Sequence, residues 1–475
     1  MSIDLSDMGI KAYYDVVVIG AGPAGMSVAI SLAEYDLSVA VFDECPQPGG
    51  QIYRNIGTTP SKLVRLLGRD YSAGKKIVST FTNAVDRGDI EYHSQSKVWY
   101  INGGNQLGVL KSGSSYQLHA AKVVIATGCQ ERPMPIPGWT LPGVMGAGAA
   151  QIMLKSASMS PKSTVLAGSG PLLWLLAYQY CRAGVKVEAM IDTTASSAWW
   201  LKALYLARAL VAGEYLFKGL YMMIYVRLSG VRIYRSSRDL KAFGENKFES
   251  ISFQSEGEEH HIQADTLLLH QGVILGLHIV EAAGCRIQWD KGNQCWVPAV
   301  DQWGKSSQNQ ISIVGDVSGI GGAKSARLSG KIVGLRLARE LRKISSVELG
   351  RLSLPSRLSR WRHKMVRPFL NLNFRVTESY LNPADDVIVC RCEEVTAGTI
   401  RQVTRQGCMG PNQAKSFTRC GMGPCQGRMC SNTVEQIMAH ELDRSVANVG
   451  RYRARPPVRP ITLGELATTD AINID

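Results

Sequence analysis

Val16 to Ile19 is a short all-apolar run, VVVI, which meets Gly20 with no polar residue between them. That is the pattern of a parallel strand buried on both faces. Apolar positions then continue at helical spacing, predicting a helix from Ala24 to Tyr35, and a second apolar strand from Ser38 to Phe42 closes on Asp43 and Glu44. Gly20, Gly22 and Gly25 fall between strand and helix, with Pro23 and Ala24 opening the helix. In this context the first glycine permits the tight turn, the second lets backbone approach a pyrophosphate, and the third lets helix and strand pack closely. The helix N-terminus offers free N–H groups to phosphates, and an acid ending the second strand suits a ribose hydroxyl. Asp43 has the better offset for that role, and Glu44 is the alternative.

The pattern repeats from Ser163, where TVLAG leads into Gly168-Ser169-Gly170, a helix from Leu172 to Arg182 and a strand ending at Asp192. Leu173 replaces the third glycine here, which leaves open whether the second loop holds a nucleotide. Between the copies, Val123 to Gly128 (VVIATG) reads as a strand that delivers Thr127 and Gly128 to a turn. Ile311 to Asp316 (ISIVGD) does the same for Gly315 and Asp316. Because ligands of doubly wound sheets sit at the carboxyl ends of strands, these residues point to the crevice of the first glycine loop.

The expected fold is therefore α/β, with two nested Rossmann-like dinucleotide-binding domains of the FAD/NAD(P)-binding, disulfide-reductase-like kind. Residues 1–160 and 275–350 form the first and 161–274 the second; 351–383 is a basic linker and 384–475 a cysteine-rich domain. Residues 198–228 alternate apolar and charged positions and read as one or two amphipathic core helices, with a docking helix for another protein chain or for a membrane surface as the alternative. The RYRARPPVRP tail reads as extended and packed over the surface.

Composition narrows the class. The chain has 475 residues, 45% of them hydrophobic, enough for two or three domains. Met1-Ser2-Ile3-Asp4 begins no signal peptide, so a cytoplasmic protein is expected. The net charge of +14 is concentrated in residues 351–375, which carry Arg and Lys but no acid. That run suits a solvated connector, a partner subunit or the inner face of a membrane; no nucleic-acid module accompanies it.

Six of the eleven cysteines follow residue 389, at 390, 392, 408, 420, 425 and 430. A CxC pair and the Gly-rich GMGPCQGRMC read as a four-thiolate metal site, because thiolates are soft ligands suited to iron-sulfur clusters or zinc. No redox CxxC lies between Gly168 and Val273, which argues against a disulfide reductase.

Taken together, PGGQIYR, ATGCQERPMPIPGW, GSGPLL, VGDVSGIGG and CRCEEV…GMGPCQGRMC resemble the FAD- and cluster-bearing subunit of heteromeric amine dehydrogenases. These include opine oxidase A subunits, dye-linked proline and hydroxyproline dehydrogenase alpha subunits and hydrogen cyanide synthase B subunits. The C-terminal part also resembles the small α-rich ferredoxin associated with bacterioferritin. The resemblance implies FAD on the first glycine loop, with Gln51, after Gly50, near the flavin and Asp316 on the ribityl or pyrophosphate side. It implies a 2Fe-2S cluster on Cys390, Cys392, Cys425 and Cys430, although the ferredoxin's second pair is spaced CxxC, so Cys420 competes with Cys430. It also implies a smaller FAD-dependent, amino-acid-oxidase-like partner that oxidises the amine, with this chain passing electrons to a quinone or similar acceptor. Two alternatives stand beside it: an NAD(P)H-dependent flavoprotein reductase, which would need a nucleotide at Gly168–Gly170, and one subunit of a hydrogen cyanide synthase acting on glycine.

Overall fold

In the computed structural model, residues 9–102, 105–194 and 199–469 are described. Met1 to Asp4 and Ala198, on which expectations above fall, lie outside them. The first sheet has a parallel core in the order Glu91–His93, Val39–Phe42, Tyr13–Ile19, Ser114–Ile125 and Ile311–Ile313. Val16, Val17, Val18 and Val123 to Ile125 are fully buried, as the unbroken apolar runs require. The long strand Ser114–Ile125 also pairs antiparallel with Gln106–Lys111, which in turn pairs with Lys97–Ile101.

Helix Pro23–Leu32 packs on helix Ala323–Glu340 at very short range. A Cβ on Gly330 would stand 2.3 Å from the Ala24 carbonyl oxygen, and one on Gly334 would stand 2.7 Å from Ser31 Cβ. On its other side the first helix is pressed onto the sheet, since a Cβ on Gly25 would lie 1.9 Å from the Gly20 oxygen. Glycine is required at these positions by the approach of backbone to backbone.

The second sheet is wholly parallel, in the order Arg232–Tyr234, Lys186–Asp192, Ser163–Ser169, Thr266–Gln271 and Val144–Gly146. Val144–Gly146 comes from the segment assigned above to the first unit. The chain crosses between units twice, through Cys129–Glu131 paired with Val273–Leu275.

Two expectations are corrected. Residues 199–228 are helical and pack one face on the core through Ala209, Ala212 and Val226, but Leu204, Phe217, Leu220, Ile224 and Leu228 are exposed, so the apolar positions are not confined to the core face. The segment 351–383 is not an open linker: helices run over Ser346–Met365, Arg367–Asn373 and Glu378–Leu381. Ser345 starts the first of them with a capping box, accepting the Glu348 N–H while the Glu348 carboxylate accepts its own. Pro355 is tolerated because it lies on the exposed side, where water can reach the carbonyl it leaves free.

The C-terminal module is helical, as expected, with a short hairpin of Ile388–Cys390 and Val395–Thr396 ahead of Ala397–Arg405, Pro411–Thr418 and Ser431–Glu441. It is fastened to the first unit by the Arg451–Glu281 ion pair at 3.4 Å and by hydrogen bonds to neutral groups. The buried Arg132 guanidinium donates to the Asn432 Oδ1 at 2.8 Å, the Gln294 carbonyl at 3.0 Å and the Asn293 carbonyl at 2.7 Å. Trp139 Nε1 donates to the Ile388 carbonyl at 2.7 Å, and Trp296 Nε1 to Glu435 Oε2 at 2.9 Å. The tail is extended as expected and turns back over both parts: Val458 is buried in the first unit and its N–H meets the Trp99 carbonyl at 2.8 Å.

Gly330→Ala should lower stability by about 1–3 kcal/mol in denaturant unfolding, even though alanine is the better helix former, because the helices must separate. Arg132→Ala takes the donor from the buried Asn432 Oδ1 and the half-buried Asn293 carbonyl, while the Gln294 carbonyl keeps Asn432 Nδ2 at 3.2 Å, and should cost about 1–3 kcal/mol. Limited proteolysis should then release the C-terminal module, whereas the parent chain resists.

Candidate functional site

A cavity of about 2050 Å³ opens at the carboxyl ends of the first sheet. Its wall contains Gly20, Gly22, Pro23, Ala24, Asp43, Glu44, Gly50, Gln51, Thr127, Gly128, Gly315 and Asp316. Of the expected loop residues only Gly25 is set back, where it packs helix on strand. Gly22 and Gly50 bring two loops into backbone contact at the wall, since a Cβ on Gly50 would lie 2.9 Å from Gly22 Cα. Gly128 has φ +70° with open space where a Cβ would project.

The two acids after the second strand divide their work. Asp43 accepts the Ala21 N–H at 2.5 Å and the Cys45 N–H at 2.7 Å, so its carboxylate ties the glycine loop to the strand end. Glu44 makes its contact with the tail, pairing with Arg459 at 2.5 Å across the cavity rim. Asp316 caps the next turn, accepting the Gly321 and Gly322 N–H groups at 2.9 and 3.0 Å through one oxygen. These features, backbone N–H groups at a helix start with no side chain to obstruct them, fit FAD.

One group on this wall gives no signal in the sequence. Lys155, on helix Ala147–Ala157, reads as an ordinary surface lysine, yet it is buried and donates to the Gln51 carbonyl at 3.1 Å and to Gln151 Oε1 at 2.9 Å. Burial, with a further push from the Arg54 charge, brings its amine down to about 7. Arg54 donates to Gln51 Oε1 at 2.9 Å and to Cys45 Sγ at 3.0 Å, so it braces the loop after Gly50. Cys129 also lies on the wall, its thiol pushed up by burial and then by Asp316, which makes it a poor nucleophile.

In the second glycine loop, Gly168 and Gly170 sit against His270, which pairs with Glu131 at 2.5 Å. Asp192, the acid at the end of that strand, is engaged by Thr194 through its N–H and hydroxyl, and Thr194 also meets Ser169 at 3.0 Å. Thr194 thus joins the strand-end acid to the loop serine.

The cysteines converge, in an arrangement that spacing alone does not give. Cys390, Cys420 and Cys430 are buried with their sulfurs within 4.8 Å of one another. Hydrogen bonds from the other two thiols push Cys390 down to about 2, while the same bonds raise its partners. Cys392 and Cys425 form an adjoining pair beside them, less buried. Five soft donors around one turn fit a thiolate-held cluster. Cys390 and Cys430 come together as expected, while Cys420 stands where the expected set has Cys392 and Cys425. The glycines of this turn have a packing reason, since a Cβ on Gly421 or Gly427 would run into the Tyr452 ring at 2.8 and 3.0 Å.

The thiol turn is also cavity wall. Arg428 and Met429 line the cavity, and Cys425 and Cys430 flank them in the chain. Gln130 Nε2 donates to the Arg428 carbonyl at 2.6 Å, and His278 Nε2 to the Gln426 carbonyl at 2.9 Å. Both grips come from the first unit.

Residues 14–330 match the family model for pyridine nucleotide-disulphide oxidoreductases, and residues 386–470 match the sarcosine oxidase A3 domain. The chain is 41% identical over 468 residues to the A subunit of opine oxidase from Rhizobium meliloti, covering 96% of this chain and 88% of that one. It is 31% identical over 472 residues to the hydrogen cyanide synthase subunit HcnB of Pseudomonas aeruginosa, covering 94% and 96%. The crystal structure of L-proline dehydrogenase from P. horikoshii superposes with a TM-score of 0.71 at 18% identity, over 96% of this chain and 79% of that one, a likeness of fold. With the cavity, the loop chemistry and these full-length matches together, the chain belongs to the pyridine nucleotide-disulphide oxidoreductase family, as an FAD-binding oxidoreductase subunit of the kind found in opine oxidases.

Proposed function

We propose that this chain is the electron-handling subunit of a heteromeric dehydrogenase that oxidises an amino-acid-derived amine, in a complex whose smaller, amino-acid-oxidase-like subunit binds the amine. The observation that carries this is that one segment, 425–430, supplies two cysteines of the thiol centre and two residues of the cavity wall. Similarity of about 40% to opine oxidase subunits over nearly the whole chain favours an opine such as octopine or nopaline over glycine or a proline-type imino acid.

FAD accepts a pair of electrons and releases them singly, and a 2Fe-2S cluster passes one at a time. The chain's own residues would hold these groups: the Gly20 to Gly25 loop and Glu44 at the adenosine end, Gln51, Lys155 and Asp316 towards the flavin, and four thiolates from Cys390, Cys392, Cys425 and Cys430. Cys420 is the fifth candidate. The buried, neutral-leaning Lys155 amine is placed to gain a proton when negative charge arrives beside it. The acceptor in this reading is a quinone or similar compound, and the compartment is the cytoplasm or the inner membrane face.

The reductase alternative has less support, because the second loop lacks its third glycine and its Asp192 carboxylate is engaged by Thr194. Anaerobic mixing with NADH or NADPH should leave the flavin oxidised, and rapid bleaching in a stopped-flow trace would overturn the relay reading.

Cysteine-to-serine variants test the ligands. Cys390→Ser and Cys392→Ser should each lose the visible and paramagnetic signature of the cluster while keeping stoichiometric FAD, and Cys420→Ser should keep both. Loss of the cluster in Cys420→Ser with retention in Cys392→Ser would replace the expected set with one built on the buried three-sulfur group.

A further inference from the structure

Helix Gly213–Leu228 carries an apolar stripe that nothing in the described fold covers. Phe217, Leu220, Tyr221, Ile224 and Leu228 recur at three- and four-residue spacing and are exposed, Phe217 by 75% and Leu228 by 83%. The opposite side of the same helix is anchored, with Met222 and Val226 buried and Tyr225 in edge contact with Tyr178 at 5.0 Å. Leu210 and Val211, in the turn before it, extend the exposed patch.

A second helix joins this face. Arg362 Nε donates to the Val211 carbonyl at 2.9 Å, and the Tyr215 hydroxyl meets His363 Nδ1 at 3.1 Å, so Ser346–Met365 lies alongside. It adds the exposed side chains Leu354, Leu358 and Trp361. It also begins the run from 351 to 375, which has no acid and whose Arg351, Arg362 and Lys364 are exposed. Two acids on or against this helix are paired, Glu214 with Lys324 and Asp70 with Lys218.

By length and composition alone, Lys202–Leu228 is apolar enough to cross a membrane. Its ion pairs, its buried inner face and the 3-10 turn at Leu210–Ala212 instead hold it flat on the protein. A contiguous apolar stripe of this size calls for a cover, and cations beside aromatic and aliphatic side chains are the composition of a helix lying in a bilayer interface.

We propose that this face lies on an anionic lipid surface, with the Gly213–Leu228 stripe set into the acyl boundary and the basic helix against the headgroups. Charge complementarity selects this occupant, because an acid-free run of cations is drawn to anionic lipid by its charge alone. Phe217 and Tyr221 also line the cofactor cavity, so the cavity mouth meets the lipid phase. A lipid-soluble acceptor could enter there without crossing water, a consequence that rests on the relay reading, whereas the docking itself does not.

The test is sedimentation of the full-length, FAD-loaded chain with vesicles of phosphatidylglycerol and phosphatidylcholine, against phosphatidylcholine alone, with no amine or acceptor present. Binding to the anionic vesicles is expected, weaker by about tenfold or more on neutral vesicles and in high salt. Leu228→Glu and, separately, Ile224→Glu should each reduce binding several-fold with flavin content and melting unchanged; Arg351→Glu with Lys364→Glu should remove the salt dependence. Failure of the parent chain to bind anionic vesicles, or parent-like binding by both apolar variants, would overturn the proposal. So would a dimer in solution that Leu228→Glu disperses, or a co-expressed amine-oxidising partner whose presence abolishes vesicle binding, since either assigns the face to protein. None of these outcomes bears on whether the chain carries electrons from an amine.

Discussion

The close crossing of helices Pro23–Leu32 and Ala323–Glu340 is the constraint on which the site depends. The two helices belong to opposite ends of the first unit, separated in sequence by the whole second unit, and each follows a strand whose carboxyl end forms the crevice. Glycines at 330 and 334 let their backbones approach to a distance no side chain would allow. That approach sets the Gly315–Asp316 turn directly over Ala24, where a Cβ on Gly315 would come within 2.6 Å of Ala24 Cβ. The crevice is thus assembled only when the last third of the first unit returns, so the cofactor-binding surface is a product of the complete chain and not of its N-terminal motif.

Around that crevice, buried charge is managed by neutral dipoles more than by opposite charge. Arg132 donates from its two terminal nitrogens to two carbonyls and an amide, and Lys155 to a carbonyl and an amide. Burial raises Glu435 to about 7, where it bonds Trp296 and Ser431. Neutral partners leave such groups free to respond to charge arriving nearby, whereas a buried ion pair would already be compensated.

The first sheet and its glycine loop were legible because every local signal agreed: strand, turn, helix and acid follow in register, and the residues assigned to the crevice line one cavity. The second copy was legible for the same reason, but Val144–Gly146 was not, since three residues carry no periodicity. Residues 346–365 misled because prolines and a charge run are local cues for a connector, while the Ser345–Glu348 cap and the burial of Ser353 and Ser356 are what decide. The 199–228 helices were recognised as helices, but amphipathicity states only that two faces differ and not what the apolar one meets. For the thiol centre, spacing pointed to the right turn, but the choice of which sulfurs meet depends on how that turn coils around Tyr452, a residue beyond the motif. Lys155 and Arg132 gave no warning, because burial of a charged side chain is a property of what folds over it.

The fastening of the C-terminal module has a consequence for how its contents could communicate with the rest of the chain. Arg132, Gln130, His278 and Trp139 hold it from one side through hydrogen bonds to neutral groups, and the tail straps it from the other through the Val458 N–H and the Arg459–Glu44 ion pair. Such a module cannot act as a tethered arm that swings between docking positions. Traffic between the thiol turn and the cavity would proceed across a gap of constant width, insensitive to solvent viscosity.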